Sequence, residues 1–322
     1  MLPLKTILCP TDFSDFSFEA LKKGAELAHR FGAELCVLHV MPELQNSPQV
    51  TQFADFAGVV PSVFEGDTRA GAEHALAAFI QRHHLDDLRV RALVKRGGAA
   101  DEIVVGAREV GADLIVLATH GLTGWRGQIF GSVAEKVLRI APCPVLIKRV
   151  DGEAKQDSGT IATILCSTDF SEPSLAALEV AGEWAGSYGA ELCLLHVVSP
   201  IETPGLLLSK EQIEAGAQAE ATAHLEQVLQ ERLPQLAKGR AIVRLGSAAD
   251  EIAAAATEVG ADLVVLATHG ASGWRAAASG TPLEHLLFGS VVTNVLRLTN
   301  CPVLTVRPKP QSDTLNRALE TV

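Results

Sequence analysis

Two hydrophobic rhythms alternate along this chain. Short apolar runs, in which nearly every position is hydrophobic, are followed by longer stretches where apolar residues return every three or four positions. In the first half the runs are TILCP, ELCVLHV, RVRALV, DLIVLAT and PVLIKR, and each predicts a strand. The periodic stretches predict helices over residues 17–30, 68–83, 100–110 and 132–140. The first of these sets Phe18, Leu21, Ala25 and Ala28 on one stripe. Asp101 falls near the start of the third, where the helix dipole favours an anion. Strands that are apolar throughout, separated by amphipathic helices, belong to a parallel sheet covered on both faces. The pattern therefore predicts a doubly wound α/β domain.

The pattern occurs twice. Residues 6–40 and 163–197 share 21 identities in 35 positions at an offset of 157. AADEI, EVGADL and VLATHG recur in both halves, as do FGSV at 130–133 and 288–291 and CPVL at 143–146 and 301–304. A period this long signals whole domains, not solenoid units. At about 150 residues per domain, a chain of 322 residues also predicts two domains. The expected organisation is domain one over 1–150, a polar linker over 151–160, domain two over 161–307 and a tail over 308–322.

Composition narrows the function classes. A formal net charge of -11 argues against non-specific nucleic-acid binding and against anchoring on an acidic membrane surface. No apolar run has the length of a membrane helix, and the N-terminal apolar stretch is too short for a secretory signal, so a soluble cytoplasmic protein is expected. Aromatic residues make up 5% of the chain, which leaves Ala, Val, Leu and Ile to fill the cores. The cysteines, at positions 9, 36, 143, 166, 193 and 301, pair off by repeat, lie in or before apolar runs and lack zinc spacing. They read as buried free thiols.

Ligands of doubly wound sheets bind beyond the carboxyl ends of the strands, where strand order switches. After the first strand stand Pro10, Thr11 and Asp12, matched by Ser167, Thr168 and Asp169. Such an aspartate either accepts from a ribose hydroxyl or forms the Asx turn or N-cap that leads into the helix; the residues leave both open. Val40 and Val197 follow the second strand of each repeat, where backbone groups suit adenine. After the fourth strand runs a Gly-rich loop from Ala118, Thr119, His120 and Gly121 to Gly131 and Ser132, where a helix begins. Glycine allows close approach of a phosphate, and amides at a helix start attract it. A surface loop with an ordinary serine cap is the competing reading. His120 and His269 lack partners at ligand spacing and suit polar contact with phosphate or ribose. Arg126 is either a helper or a solvated side chain, and residues 41–66 are either a lid or interface packing. The chain has no P-loop, no G-x-G-x-x-G fingerprint and no nucleophile elbow.

Taken together, ILCPTDFS, GADLIVLATHG, FGSVAEKVLR and APCPVLIK resemble the universal stress protein family, across both repeats. The resemblance implies an α/β fold of two tandem doubly wound domains, each a five-stranded parallel sheet flanked by helices. The family's nucleotide-binding branch carries G-x-x-G, nine residues, then G-[ST]. Here Ala118-x-x-Gly121 is followed by nine residues and Gly131-Ser132, with alanine for the first glycine. By resemblance, Pro10, Thr11, Asp12 and the Val40 backbone face adenosine. Ala118, Thr119, His120 and Gly121 line the ribose-phosphate side, and Gly131, Ser132 and Val133 hold phosphates. Asp169, Val197, Thr268, Gly270, Gly289, Ser290 and Val291 are their counterparts. The implied ligand is ATP, ADP or AMP, with Mg or Mn carried on the phosphates. The implied role is a regulatory stress-response module with little or no hydrolysis. A slow ATPase and an interaction or small-ligand protein are the alternatives.

The second repeat departs from the pattern. Ala267-x-x-Gly270 is followed by eighteen residues before Gly289-Ser290, an insertion of nine, so a weaker or different second site is expected. Family members also dimerise through their last strand. That implies an intramolecular pseudo-dimer in which Val145–Lys148 meets Val303–Val306, and it is compatible with a homodimer of whole chains. Gly131→Val is expected to block phosphate by filling space and by disfavouring a positive φ.

Overall fold

A computed structural model describes residues 1–43, 69–85, 87–118, 131–149, 159–200, 210–268 and 290–307. The first repeat runs β1 (Thr6–Thr11), α1 (Asp15–Phe31), β2 (Glu34–Met41), α2 (Arg69–Arg82), β3 (Val90–Arg96), α3 (Ala99–Val110), β4 (Leu114–Ala118), α4 (Ser132–Ile140) and β5 (Val145–Lys148). The second runs β6 (Thr163–Ser167), α5 (Glu172–Tyr188), β7 (Glu191–Val198), α6 (Lys210–Arg232), β8 (Gly239–Leu245), α7 (Ala248–Glu258), β9 (Leu263–Ala267), α8 (Ser290–Leu298) and β10 (Val303–Val306). The expected linker lies outside the described residues except for 159 and 160, and the tail and most of 41–66 lie outside them altogether.

Local chemistry sets the element ends. Helix α1 begins two residues before its apolar stripe predicts, because the Ser14 side chain accepts from the Ser17 amide and caps the helix. It ends at Gly32, whose φ of 64° is the left-handed conformation glycine adopts without penalty. The run DLIVLAT predicts a strand from residue 113, but β4 starts one residue later. Asp113 instead turns its Oδ2 to the amides of Lys5 (2.8 Å) and Thr6 (3.0 Å), tying down the start of β1. Asp262 does the same for Ala162 and Thr163. The shared EVGADL motif is thus a structural clasp at the sheet edge opposite the candidate site.

Among the described residues the strands form one ten-stranded sheet in the order β3-β2-β1-β4-β5-β10-β9-β6-β7-β8. Neighbours are parallel except at the centre, where β5 and β10 run antiparallel with Leu304 opposite Leu146 and Val303 opposite Ile147. The expected intrachain pairing of the two last strands is present. One core lies beneath α1, α2, α5 and α6, the other beneath α3, α4, α7 and α8, and each continues across both repeats.

Further contacts cross the seam on both faces. On the first, the Arg30 guanidinium lies 3.7 Å over the Tyr188 ring, and Phe31 meets the fully buried Trp184 edge-on at 6.2 Å. Burial of a large side chain of this kind contributes roughly 1.5–3 kcal/mol. On the second, Arg149 Nη1 donates to the carbonyls of Arg297 and Thr299 at the end of α8, 2.9 Å each. Arg307 does the same for Arg139 and Ala141 at the end of α4, at 3.3 Å. Each repeat therefore supplies the cation that the negative end of the other's last helix attracts. No helix among the described residues is long and apolar enough to cross a membrane.

Helix α1 approaches β1 closely at Gly24. A Cβ at Gly24 would collide with Cys9 Sγ. Gly24→Ala is expected to destabilise the fold by about 1–3 kcal/mol, the usual scale of overpacking. In a urea-denaturation double-mutant cycle, adding Cys9→Ala should recover most of that loss. Gly24→Ala with an unchanged midpoint would show that the helix shifts at no cost.

Candidate functional site

Strand order reverses between β1 and β4, each of which continues into a different side of the sheet. Leu8 pairs with Ile115, so three residues further on Thr11 stands level with Ala118, and Thr11 itself pairs with His39 of β2. Pro10, Thr11, Asp12, Val40 and Ala118 thereby meet at one carboxyl edge. Because β4 and β5 are parallel, α4 must run back against them, and its first turn faces the same edge. Gly131, Ser132 and Val133 form that turn. Lys136 Nζ, 2.6 Å from Asp101 Oδ2, ties α4 to the first turn of α3. Thr119, His120, Gly121 and Arg126 lie outside the described residues, as do His269, Gly270 and Gly289 of the second repeat.

The turn after β1 is tightly specified. Thr11 Oγ1 accepts from the Phe13 amide at 3.0 Å and hydrogen-bonds the Ser17 hydroxyl at 3.0 Å. Asp12 Oδ1 accepts from the Ser14 amide (3.1 Å) and hydroxyl (2.5 Å), which is an Asx turn. These bonds hold Phe13 at φ 64°, a region a bulky residue occupies only where its surroundings over-determine it. Thr168, Asp169 and Phe170 repeat the arrangement, with φ 62° at Phe170. Of the two openings for Asp12, the Asx turn is made by Oδ1.

Residue types singled out by pattern miss one part of this edge. His39 Nδ1 lies 2.9 Å from the Thr11 carbonyl, and the His39 ring stacks on Phe13 at 4.4 Å. A carbonyl only accepts, so Nδ1 carries a proton here. His196 makes the same bond to Thr168 at 2.8 Å and meets Phe170 at 4.5 Å. The available signal was the pairing of DF with LHV, which occurs in both repeats at the same separation.

Gly131 caps α4 at φ -74° and ψ 137° and, being glycine, supplies no side chain to the first amides of the helix. That backbone is extended, so the positive φ expected at Gly131 is not present. A β-branched residue fits the backbone there and would act by bulk alone. Val40 and Val197 are half-buried against the second core. The Thr268 amide donates to Val306 at 3.0 Å, extending the β9–β10 ladder, and Ser290 and Val291 open α8. Among the described residues, the edge of the first repeat thus offers backbone amides, hydroxyls and carboxylates, with Asp12 in its Asx turn and Asp101 paired with Lys136. Among the described residues no three His, Cys, Asp or Glu side chains gather into a group that could hold a metal ion.

The cysteines are poor candidates for covalent chemistry. Cys143 is half-buried and the other five are buried. Burial pushes five of the thiols up from the ordinary value of 9.0: to about 11 for Cys36, to about 12 for Cys143 and Cys166, and upward also for Cys9 and Cys193. The thiolate is the nucleophile, and these groups stay protonated.

The chain matches the family model described as the universal stress protein family twice, over residues 3–149 and 160–307. A universal stress protein of Methanocaldococcus jannaschii is 34% identical over 143 residues, covering 44% of this chain and 81% of its own length. One from Mycobacterium tuberculosis is 32% identical over 200 residues, covering 61% of this chain and 62% of its own. Among solved structures, a universal stress protein from Archaeoglobus fulgidus has the same fold, with a TM-score of 0.65 at 21% identity, covering 94% of this chain and 96% of that one.

Two outcomes are expected. Asp12→Asn keeps an acceptor for the turn and should leave stability unchanged, whereas Asp12→Ala should cost about 1 kcal/mol in a thermal or urea melt. Equal losses in both would show that the turn depends on charge. The thiol pKa values are raised in the folded state, so their contribution is complete below about pH 9 and falls as pH rises toward the folded values. The urea midpoint should decline between about pH 9 and about pH 11, and a midpoint that holds or rises over this range would contradict the burial of these thiols.

Proposed function

The chain belongs to the universal stress protein family, and on that premise we propose that its first repeat binds an adenine nucleotide, ATP or its ADP and AMP products. The observation that carries this reading is the convergence at the β1/β4 switch point of the Pro10–Asp12 turn, the Val40 backbone, Ala118 and the first turn of α4. The N-cap residue of α4 is Gly131, which has no side chain to occupy the first amides, and this suits a phosphate. The spacing from Ala118 through Gly121 to Gly131 and Ser132 supports the same reading. Mg or Mn would be carried by the phosphates, since carboxylates at the described edge are engaged, Asp12 with Ser14 and Asp101 with Lys136.

The proposed role is regulatory, in the cytoplasm, with little or no hydrolysis. Asp12 and Thr11 hold the turn after β1, which leaves them poorly placed to act as a general base. The nine-residue insertion before Gly289 favours a weaker nucleotide site in the second repeat.

The test is the nucleotide content of freshly purified, undialysed protein, followed by calorimetry with Mg-ATP. About one equivalent per chain is expected. Gly131→Val, which the extended backbone tolerates, should weaken affinity about tenfold or more without lowering the melting temperature. No bound nucleotide together with no uptake of Mg-ATP would leave the Gly-rich loops as turns of an interaction protein. Two equal sites would remove the asymmetry.

A further inference from the structure

A second constellation lies on the other side of the β1 turn, where α1 starts and α2 crosses it. A hollow of about 300 Å³ opens there, walled by Phe13, Phe18, Phe79 and His83, with Ala75 and Ala78 on its α2 side. Phe79 meets Phe13 edge-on at 5.4 Å, and His83 stacks on Phe18 at 3.7 Å. Phenylalanines number eleven in the whole chain, so three around one half-exposed hollow is a concentration that composition does not demand.

The second repeat shows what fills this space. Strand pairing aligns β3 with β8 at an offset of 149, since His39 pairs with Val94 and His196 with Val243. The fully buried Leu76 and Leu225 of α2 and α6 keep that offset. Ala75 therefore corresponds to His224, Phe79 to Val228 and His83 to Arg232, while Phe13 corresponds to Phe170 and Phe18 to Leu175. In the second repeat the His224 ring lies flat on Phe170, with centroids 4.2 Å apart and planes 8° apart. Arg232 there turns to Glu179 at 3.0 Å. The first repeat replaces the imidazole with a methyl group and replaces Leu, Val and Arg around it with three aromatic rings.

We infer that the hollow beside Phe13 is a binding site for a small planar heteroaromatic compound, which stacks on Phe13 as His224 stacks on Phe170. The size lies at the lower end of small-molecule pockets and suits a single or fused ring. Phe79 and His83 offer the offset and edge contacts that aromatic rings favour. Burial, then the neighbouring Arg82 and His84, push the His83 imidazole toward its neutral form, so at neutral pH it acts as an aromatic wall. The hollow faces α1 and α2, while the nucleotide reading depends on α4, which covers the opposite face of the sheet.

The test is titration of the full chain with benzimidazole, followed by ligand-observed NMR and calorimetry. One equivalent per chain is expected for the parent protein. Ala75→His, which gives the first repeat the ring of the second, should weaken binding about tenfold or more with no loss of melting temperature. Phe79→Val, the residue of the second repeat at that position, should also weaken it. Gly131→Val should leave benzimidazole affinity unchanged, whatever it does to nucleotide. No uptake by the parent protein, or unchanged affinity in Ala75→His, overturns the inference. So does loss of benzimidazole binding in Gly131→Val, which would place the ring in the nucleotide site.

Discussion

The antiparallel pairing of β5 with β10 is the contact on which the rest of the molecule depends. A five-stranded parallel sheet ending in a short strand such as Val145–Lys148 would present a row of unpaired backbone groups. Here each repeat closes that edge on the other, and the buried Thr305 hydroxyl reaches across to the Val145 carbonyl at 3.2 Å. Once the strands join, the helices on either face must meet as well. The Arg30, Phe31, Trp184 and Tyr188 cluster forms on one side and the reciprocal arginine caps on the other. Both cores become continuous, so the two repeats form a pseudo-dimer within one chain.

That junction also determines what the two halves can do independently. Arg307 of the second repeat sits on the last carbonyls of α4, whose first turn forms part of the candidate phosphate site in the first repeat. The same relation runs from Arg149 to α8. The shared frame is conserved between the halves in its strands, its Asp113 and Asp262 clasps and its Asx turns. Clear divergence lies over that frame. It appears in the α2 and α6 surfaces, where Ala75 stands against His224, and in the insertion before Gly289.

Much of the fold was legible in the chain. Apolar runs and periodic stretches marked the strands and helices because a parallel sheet buried on both faces requires continuous apolar strands. Errors fell at element ends, where single side chains decide. Ser14 extended α1 toward its N-terminus, and Asp113 left β4 to hold β1. The candidate site was legible as a set of strand ends, since Pro10–Asp12 and Ala118 are separated in sequence but follow strands that a switch point makes adjacent. The conformation of Gly131 was not, because glycine permits several backbones and only the capping geometry selects one.

The sequence alone determined the repeat, the α/β class, the free thiols, five of them buried, and the residues at the strand ends, since each follows from local periodicity or from identity between the halves. Tertiary structure decided the rest. It set one continuous sheet, the Nδ1 proton of His39 through the Thr11 carbonyl, the Asx turn at Asp12 and the different surroundings of Phe13 and Phe170. These depend on distances between residues far apart in the chain, and such distances exist only once the strands are in register.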